Sequence, residues 1–218
     1  MYRFRCPRPG RNSVPRLNVL PQRLPAALSS AIGRGVGRTG ITPNMISLFG
    51  LTGNALAAYL VVREALLWAG AVFLIFSALD MVDGAVARAT NSATPFGAVF
   101  DAVLDRVTEA LLLCACGWYF AERGEQVQAA IAYAALFGSV AVSYIRARAE
   151  VMGLLVQDGL FRRQERVALM SAGLLLNGLT AVIWPLAILS NITALQRFWL
   201  VAKGLRELDR AESRSSQA

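Results

Sequence analysis

Two pairs of aspartates stand inside apolar stretches of this chain. Asp80 and Asp83 close one stretch, in Leu79-Asp80-Met81-Val82-Asp83-Gly84, and Asp101 and Asp105 open the next, in Phe100-Asp101-Ala102-Val103-Leu104-Asp105. Helical residues three or four apart share a face, so each pair presents two carboxylates in one direction. The two stretches run in opposite senses across a membrane and are joined by a short link. That places their helices side by side, with all four carboxylates at one depth near one surface. Four like charges repel strongly in a low dielectric and call for cations. Oxygen donors without imidazole or thiolate suit hard divalent ions, Mg²⁺ or alternatively Mn²⁺. Four carboxylates can hold two such ions, the arrangement of two-metal phosphoryl transfer. Gly84 and Gly97 lie beside the pairs. Each costs a helix about 1 kcal/mol relative to alanine and clears space for a bulky ligand at the backbone. Arg88, one turn after Gly84, adds a fixed positive charge. Metals, cleared space and an arginine point to a diphosphate. The carboxylates alone leave a divalent-ion transporter open, although a transport site is expected nearer mid-membrane.

The elements that must hold these groups are apolar helices. Hydrophobic residues make up 56% of the 218 and charged ones 17%, against about 25% charged in soluble domains. Mean hydropathy is +0.48. A span needs about 20 apolar residues, and six stretches qualify, near 44–62, 67–89, 98–120, 127–149, 166–184 and 185–203. The fold class expected is an all-α integral membrane protein of six transmembrane helices plus an N-terminal amphipathic surface helix. Residues 1–20 read as a basic, disordered tail, 21–40 as the juxtamembrane helix, 41–205 as the six-helix domain and 206–218 as a polar tail, disordered from Glu207. The first 40 residues carry eight arginines and no acid, without the apolar run of a cleavable signal peptide.

Of 22 basic residues, 21 are arginine, and only Arg63 and Arg123 fall on one side of the six-span layout. The other 20 mark the cytoplasmic side, which places both termini and the aspartates there, in a cell (inner) membrane. The arginines follow topology and form no single patch among aromatics, so nucleic acid is not an expected partner. Histidine is absent, which removes imidazole acid–base chemistry and His-ligated metals. Three cysteines give no disulfide framework.

The run Asp80-x-x-Asp83-Gly84-x-x-Ala87-Arg88, then Gly97-x-x-x-Asp101-x-x-x-Asp105, resembles the signature of the CDP-alcohol phosphotransferase family at all eight specified positions. The resemblance implies an enzyme that joins an alcohol to a phospholipid and releases CMP. It implies that Asp80, Asp83 and Asp101 are metal ligands, with Asp105 both ligand and base. Asn44, Met45, Ile46 and Ser47, with Thr94, resemble the family's contacts to the cytidine diphosphate end of CDP-diacylglycerol; Asn44 and Ser47 also suit helix capping. Gly84, Arg88 and Gly97 complete that donor site. A homodimer in membrane lipid is the family's expected assembly.

The stretches around Ser143–Glu150, Phe161–Arg166 and Gln196-Arg197 look like bacterial phosphatidylinositol phosphate synthases. By that likeness Arg146, Arg166 and Arg197, with Ser143 and Arg148 nearby, take the phosphate of an inositol phosphate acceptor, 1D-myo-inositol 3-phosphate. Arg197 lies deep enough in its stretch to need an anionic partner. Arg162, Arg163, Lys203, Arg206 and Arg210 read as surface anchors. Arg106 and Glu109 read as structural. Arg146 stands where that group usually has lysine, and Gln164 where it often has proline. Glycerol 3-phosphate, giving phosphatidylglycerol phosphate, is the competing acceptor.

Overall fold

A computed structural model describes residues 43–89, 94–154 and 159–215, and the side chains from Asp80 to Ala89 are not among the described ones. The expected basic tail and surface helix before residue 41 therefore lie outside it. Six helices follow in order: α1 (Pro43–Val62), α2 (Leu66–Ala89), α3 (Pro95–Glu122), α4 (Gln126–Val151), α5 (Arg163–Leu175) and α6 (Leu179–Ser215). The segments Asn44–Val62, Gln126–Val151 and Leu179–Arg210 are each long and apolar enough to cross a membrane. The chain is an all-α, multi-pass membrane protein.

The helices stop where the backbone can turn left-handed. Glu64 (φ 59°), Gly124 (φ 74°), Gly153 (φ 77°) and Asn177 (φ 53°) follow the ends of α1, α3, α4 and α5. At each, the next N–H reaches back five residues, as in Ala65 N to Leu60 O (2.9 Å) and Gly178 N to Gly173 O (2.8 Å). This is the Schellman closure, which satisfies carbonyls the helix leaves open.

The expected spans match α1 to α4 but not the last two. The turn falls at Leu176–Gly178 rather than near Pro185, which lies inside α6. An Asn-Gly pair adopts the turn at low steric cost, whereas a proline within a membrane helix is tolerated because neighbours re-satisfy the freed carbonyl. So α5 has only 13 residues, about 20 Å. By contrast α6 has 37, about 55 Å and well beyond a bilayer core of about 30 Å. It runs helical through Ser215 across the tail expected to be disordered from Glu207. Leu, Arg, Glu and Ala there are good helix formers extending an existing nucleus.

The helices pack in a closed ring: α1 on α2, α2 on α5, α5 on α6, α6 on α4, α4 on α3 and α3 back on α1. Among the described residues α2 and α3 do not pack on each other. They flank α1 and face one another across the interior. Small residues let the ring close, among them Ala57, Ala69, Ala115, Ala132 and Ala135, all buried with Phe73, Phe120 and Ile183. Gly53 carries the α1–α2 contact, since a Cβ there would stand 2.1 Å from the Phe76 ring. Gly53→Leu is therefore expected to cost about 1–3 kcal/mol by overpacking, read as a lower melting temperature in detergent.

Candidate metal and phosphate site

The short α5 places the functional side chains at depth. A Cβ at Gly70, one turn into α2, would lie 2.8 Å from the backbone nitrogen of Leu175. The far end of α5 thus sits beside the start of α2. That is also the end at which Arg123 Nη1 meets Glu64 Oε2 at 3.1 Å, joining the α1–α2 and α3–α4 turns. From there α5 climbs only part of the bundle. Its first turn, with Arg163 and Arg166, meets α3 at Asp105 and Glu109 below the opposite end.

Asp101, Asp105 and Glu109 are spaced four apart on α3 and share one face. Arg163 Nη2 lies 2.6 Å from Asp105 Oδ1. Arg106 Nη1 lies 3.8 Å from Asp105 Oδ2 and also donates to the carbonyl of Ala102. One turn deeper, Arg166 is buried and grips Glu109 through two contacts, Nε to Oε1 at 2.6 Å and Nη2 to Oε2 at 3.3 Å. Arg163, read from sequence as a surface anchor, thus pairs with the expected base, and Glu109 is the partner of Arg166. The signal was present in the i, i+4 acids of α3 and the i, i+3 arginines of α5.

These arginines line a cavity among α2, α3, α5 and α6. It is lined by Phe73 and Ser77 of α2, by Asp105, Thr108, Glu109, Leu112 and Leu113 of α3, by Arg163, Arg166, Val167 and Met170 of α5, and by Leu186 of α6. The polar side chains stand on the side of the aspartates, and the deeper wall is apolar.

Arg197, the other deep arginine, is buried on α6. Its Nη1 donates to Val142 O on α4 at 3.3 Å, next to half-buried Ser143. Its guanidinium also lies on Gly159, where a Cβ would come within 2.9 Å of Nε. The loop before α5 is pinned to the same helix. Leu160 N donates to Gln196 Oε1 and Phe161 N to Thr193 Oγ1, each at 3.2 Å. Phe161 O lies 3.5 Å from Arg166 Nη1, so the loop that α6 holds also meets Arg166. Arg146 and Arg148 differ. Both are exposed near the end of α4, and Arg146 Nε donates to Glu150 Oε1 at 2.9 Å. Two residues apart on a helix, they point to different sides.

At the start of α3, Thr94 caps the helix, its Oγ1 accepting from Gly97 N at 3.0 Å. A Cβ on Gly97 would stand 3.1 Å from Thr94 Oγ1 and 3.3 Å from Asn44 Oδ1. Three residues expected at the donor end therefore converge. Asn44 is not a cap, because α1 already begins at Pro43. Ser47, one turn on, is buried, Ile46 is half-buried and Met45 is exposed.

The donor set suits a hard divalent cation. Asp101 and Asp105 are half-buried oxygen donors one turn apart, and Asp105 already faces a guanidinium. Among the described residues no three acids or cysteines form a metal cluster. The side chains of Asp80, Asp83, Gly84 and Arg88 lie outside those residues, on the last turns of α2.

Fold and site together define a polytopic helical membrane protein with carboxylates and arginines meeting toward one end of its bundle. Residues 40–200 match the family model described as CDP-alcohol phosphatidyltransferase, and the chain belongs to that family. It is similar to the phosphatidylinositol phosphate synthase of Mycobacteroides abscessus, 33% identical over 193 residues, 84% of this chain and 88% of that one. The phosphatidylinositol phosphate synthase of Corynebacterium glutamicum is 35% identical over 173 residues, 75% of this chain and 78% of that one. Among solved structures, the phosphatidylinositol phosphate synthase of Mycobacterium tuberculosis with CDP-DAG bound superposes with a TM-score of 0.74 at 32% identity, over 80% of this chain and 94% of that one. The same synthase in complex with manganese and citrate gives 0.71 at 33% identity, over 79% and 88%.

Proposed function

We propose that the protein transfers the phosphatidyl group of CDP-diacylglycerol to the hydroxyl of an inositol phosphate, 1D-myo-inositol 3-phosphate, giving phosphatidylinositol phosphate and CMP. The observation that carries the acceptor is the burial of two arginines, Arg166 beside the α3 carboxylates and Arg197 on α6 against Val142 O. A neutral alcohol would not need buried guanidinium groups, whereas a phosphorylated one does. The names and solved complexes of the similar proteins support the same reading.

Asp80, Asp83, Asp101 and Asp105 would hold two Mg²⁺ ions, which when bound neutralise the diphosphate and the charge developing on CMP. Asn44, Thr94 and Gly97 cradle the donor where α1 meets α3. Arg166 and Arg197 orient the acceptor phosphate. Asp105 takes the proton of the attacking hydroxyl, whose oxygen bonds to the phosphorus bearing diacylglycerol as the bond to CMP breaks. The chain's part is positioning and charge compensation. The 20-to-2 arginine skew supports a six-pass topology with both termini and the site on the cytoplasmic side. Homodimerisation in lipid completes the reading.

The test is CMP release by purified protein with CDP-diacylglycerol and Mg²⁺, offered inositol phosphate, glycerol 3-phosphate or free inositol separately. Turnover with inositol phosphate alone supports the proposal. Turnover with glycerol 3-phosphate instead keeps the metal chemistry and removes the acceptor assignment. Ion flux in liposomes without turnover favours the transporter. In the same assay, Gly97→Val is expected to raise KM for CDP-diacylglycerol about tenfold with a smaller change in kcat, because its side chain fills the space between Thr94 and Asn44.

A further inference from the structure

We infer that Thr193 and Gln196 are positioning residues of the acceptor site, which hold the start of α5 on α6 and so set the spacing between Arg166 and Arg197. The inference rests on the reading above that these two arginines take the acceptor phosphate. Helices α5 and α6 form an antiparallel hairpin. Its closed end is the turn at 176–178, where Gly178 N reaches Gly173 O and a Cβ on Gly173 would stand 2.8 Å from Val182. Its open end is where Phe161 meets Thr193. Both arginines lie toward that end. Arg166 is in the first turn of α5, and Arg197 is one turn beyond Thr193 on α6.

A hairpin splays most at its open end. Over a helix of about 20 Å, a tilt of about 3° at the turn moves the far end by about 1 Å. A misplacement of that size can cost about 10²-fold in a reaction that depends on positioning. Guanidinium groups on two helices can share one phosphate only at a fixed spacing. The ties run from side chains of α6 to the backbone of the loop before α5. Phe161 N donates to Thr193 Oγ1 and Leu160 N to Gln196 Oε1. Thr193 is fully buried, and its hydroxyl donates to Leu189 O at 2.7 Å, which turns the oxygen's lone pairs to the loop. Phe161 is buried as well, so its N–H would be costly to leave without a partner. From Phe161 the chain enters α5 through Arg162, whose N–H donates to Glu165 Oε2 at 2.7 Å. The loop also touches both arginines. Phe161 O faces Arg166 Nη1, and a Cβ on Gly159 would meet Arg197 Nε at 2.9 Å and Thr193 Cγ2 at 3.1 Å. Where Thr193 and Gln196 hold this loop therefore decides how far apart the two guanidinium groups stand.

The test joins steady-state kinetics of the purified protein, with Mg²⁺, CDP-diacylglycerol and inositol phosphate, to hydrogen–deuterium exchange over residues 159–166. Thr193→Val keeps the side chain's shape and loses the hydroxyl. It is expected to raise KM for inositol phosphate about tenfold, to leave KM for CDP-diacylglycerol unchanged and to speed exchange at Leu160 and Phe161. Gln196→Met removes the more exposed tie, so it carries the test should Thr193→Val fail to fold. It is expected to act in the same direction by about threefold. Thr193→Ser, which keeps the accepting oxygen, is expected to stay within about twofold of the parent. Equal rises in both KM values, or a fall in kcat alone, would mean general loosening and would overturn the inference. So would Thr193→Ser as impaired as Thr193→Val, which would make the methyl group the part that matters. Arg197→Gln separates the two levels of the reading. If it raises the acceptor KM while Thr193→Val and Gln196→Met keep the parent's value, the positioning role fails and the acceptor site stands. If Arg197→Gln also keeps the parent's acceptor KM, the arginine reading itself fails and the inference goes with it.

Discussion

Asp101→Asn is expected to lower CMP release by at least about a thousandfold while leaving the protein folded. The carboxylate belongs to a donor set whose charge matters most when the diphosphate is split, and the loss of one such electrostatic group costs about 10²–10³ in kcat. A metal ligand sits at the upper end, because the charge stabilisation that a bound ion supplies goes with it. Folding should not suffer. Asp101 is half-buried on a face that also carries Asp105 and Glu109. Without metal, removing one of three like charges relieves repulsion, so the melting temperature in chelator is expected to be unchanged or higher. The assay pairs initial rates in Mg²⁺ with melting in chelator. Turnover within tenfold of the parent would remove Asp101 from the metal set.

That prediction draws on a part of the site legible in the sequence. Charged residues at regular spacing inside apolar stretches are costly, so their spacing carries information. The first four helices were legible for a related reason, since their apolar runs are bounded by residues that turn the chain, such as Gly124 and Gly153. The last boundary was misread because a proline and an Asn-Gly pair both offered a stop. Schellman closure at Asn177 decided for the second. That choice matters for function. Moving the turn back toward Asn177 shortens α5 and brings Arg163 and Arg166 down to the α3 acids instead of the surface.

Ring order was not legible at all. Helices apolar on every side carry no signal of which face meets which neighbour. Nothing in the sequence said that, among the described residues, α2 and α3 would each pack on α1 and not on one another. The partners of the arginines were hidden for the same reason. Glu109 is one acid among apolar residues until α5 is placed opposite it. Arg163 looked like a basic residue of a loop until it became the first residue of a buried helix.

The Glu109–Arg166 pair offers the second large effect, because it separates holding the fold from holding the substrate. Arg166→Met alone leaves half-buried Glu109 beside an apolar cavity wall without its arginine, and breaking a fully buried pair costs about 3–5 kcal/mol, an upper bound here. The melting temperature in detergent should fall sharply. Glu109→Leu combined with Arg166→Met removes both charges, and apolar replacement of a whole buried pair is often neutral or stabilising. The double variant is therefore expected to melt near the parent. Its KM for inositol phosphate, however, should rise about ten- to a hundredfold, the worth of one hydrogen bond to a charged group. KM for CDP-diacylglycerol should hardly move. A stable double variant with the parent's acceptor KM would make Arg166 a brace between α3 and α5 and leave Arg197 as the buried arginine facing the acceptor. A stable variant with raised acceptor KM would show that this guanidinium serves both. Its two nitrogens on Glu109 would then fix the plane in which the remaining N–H groups meet a phosphate, and Glu109 would be there to aim the arginine.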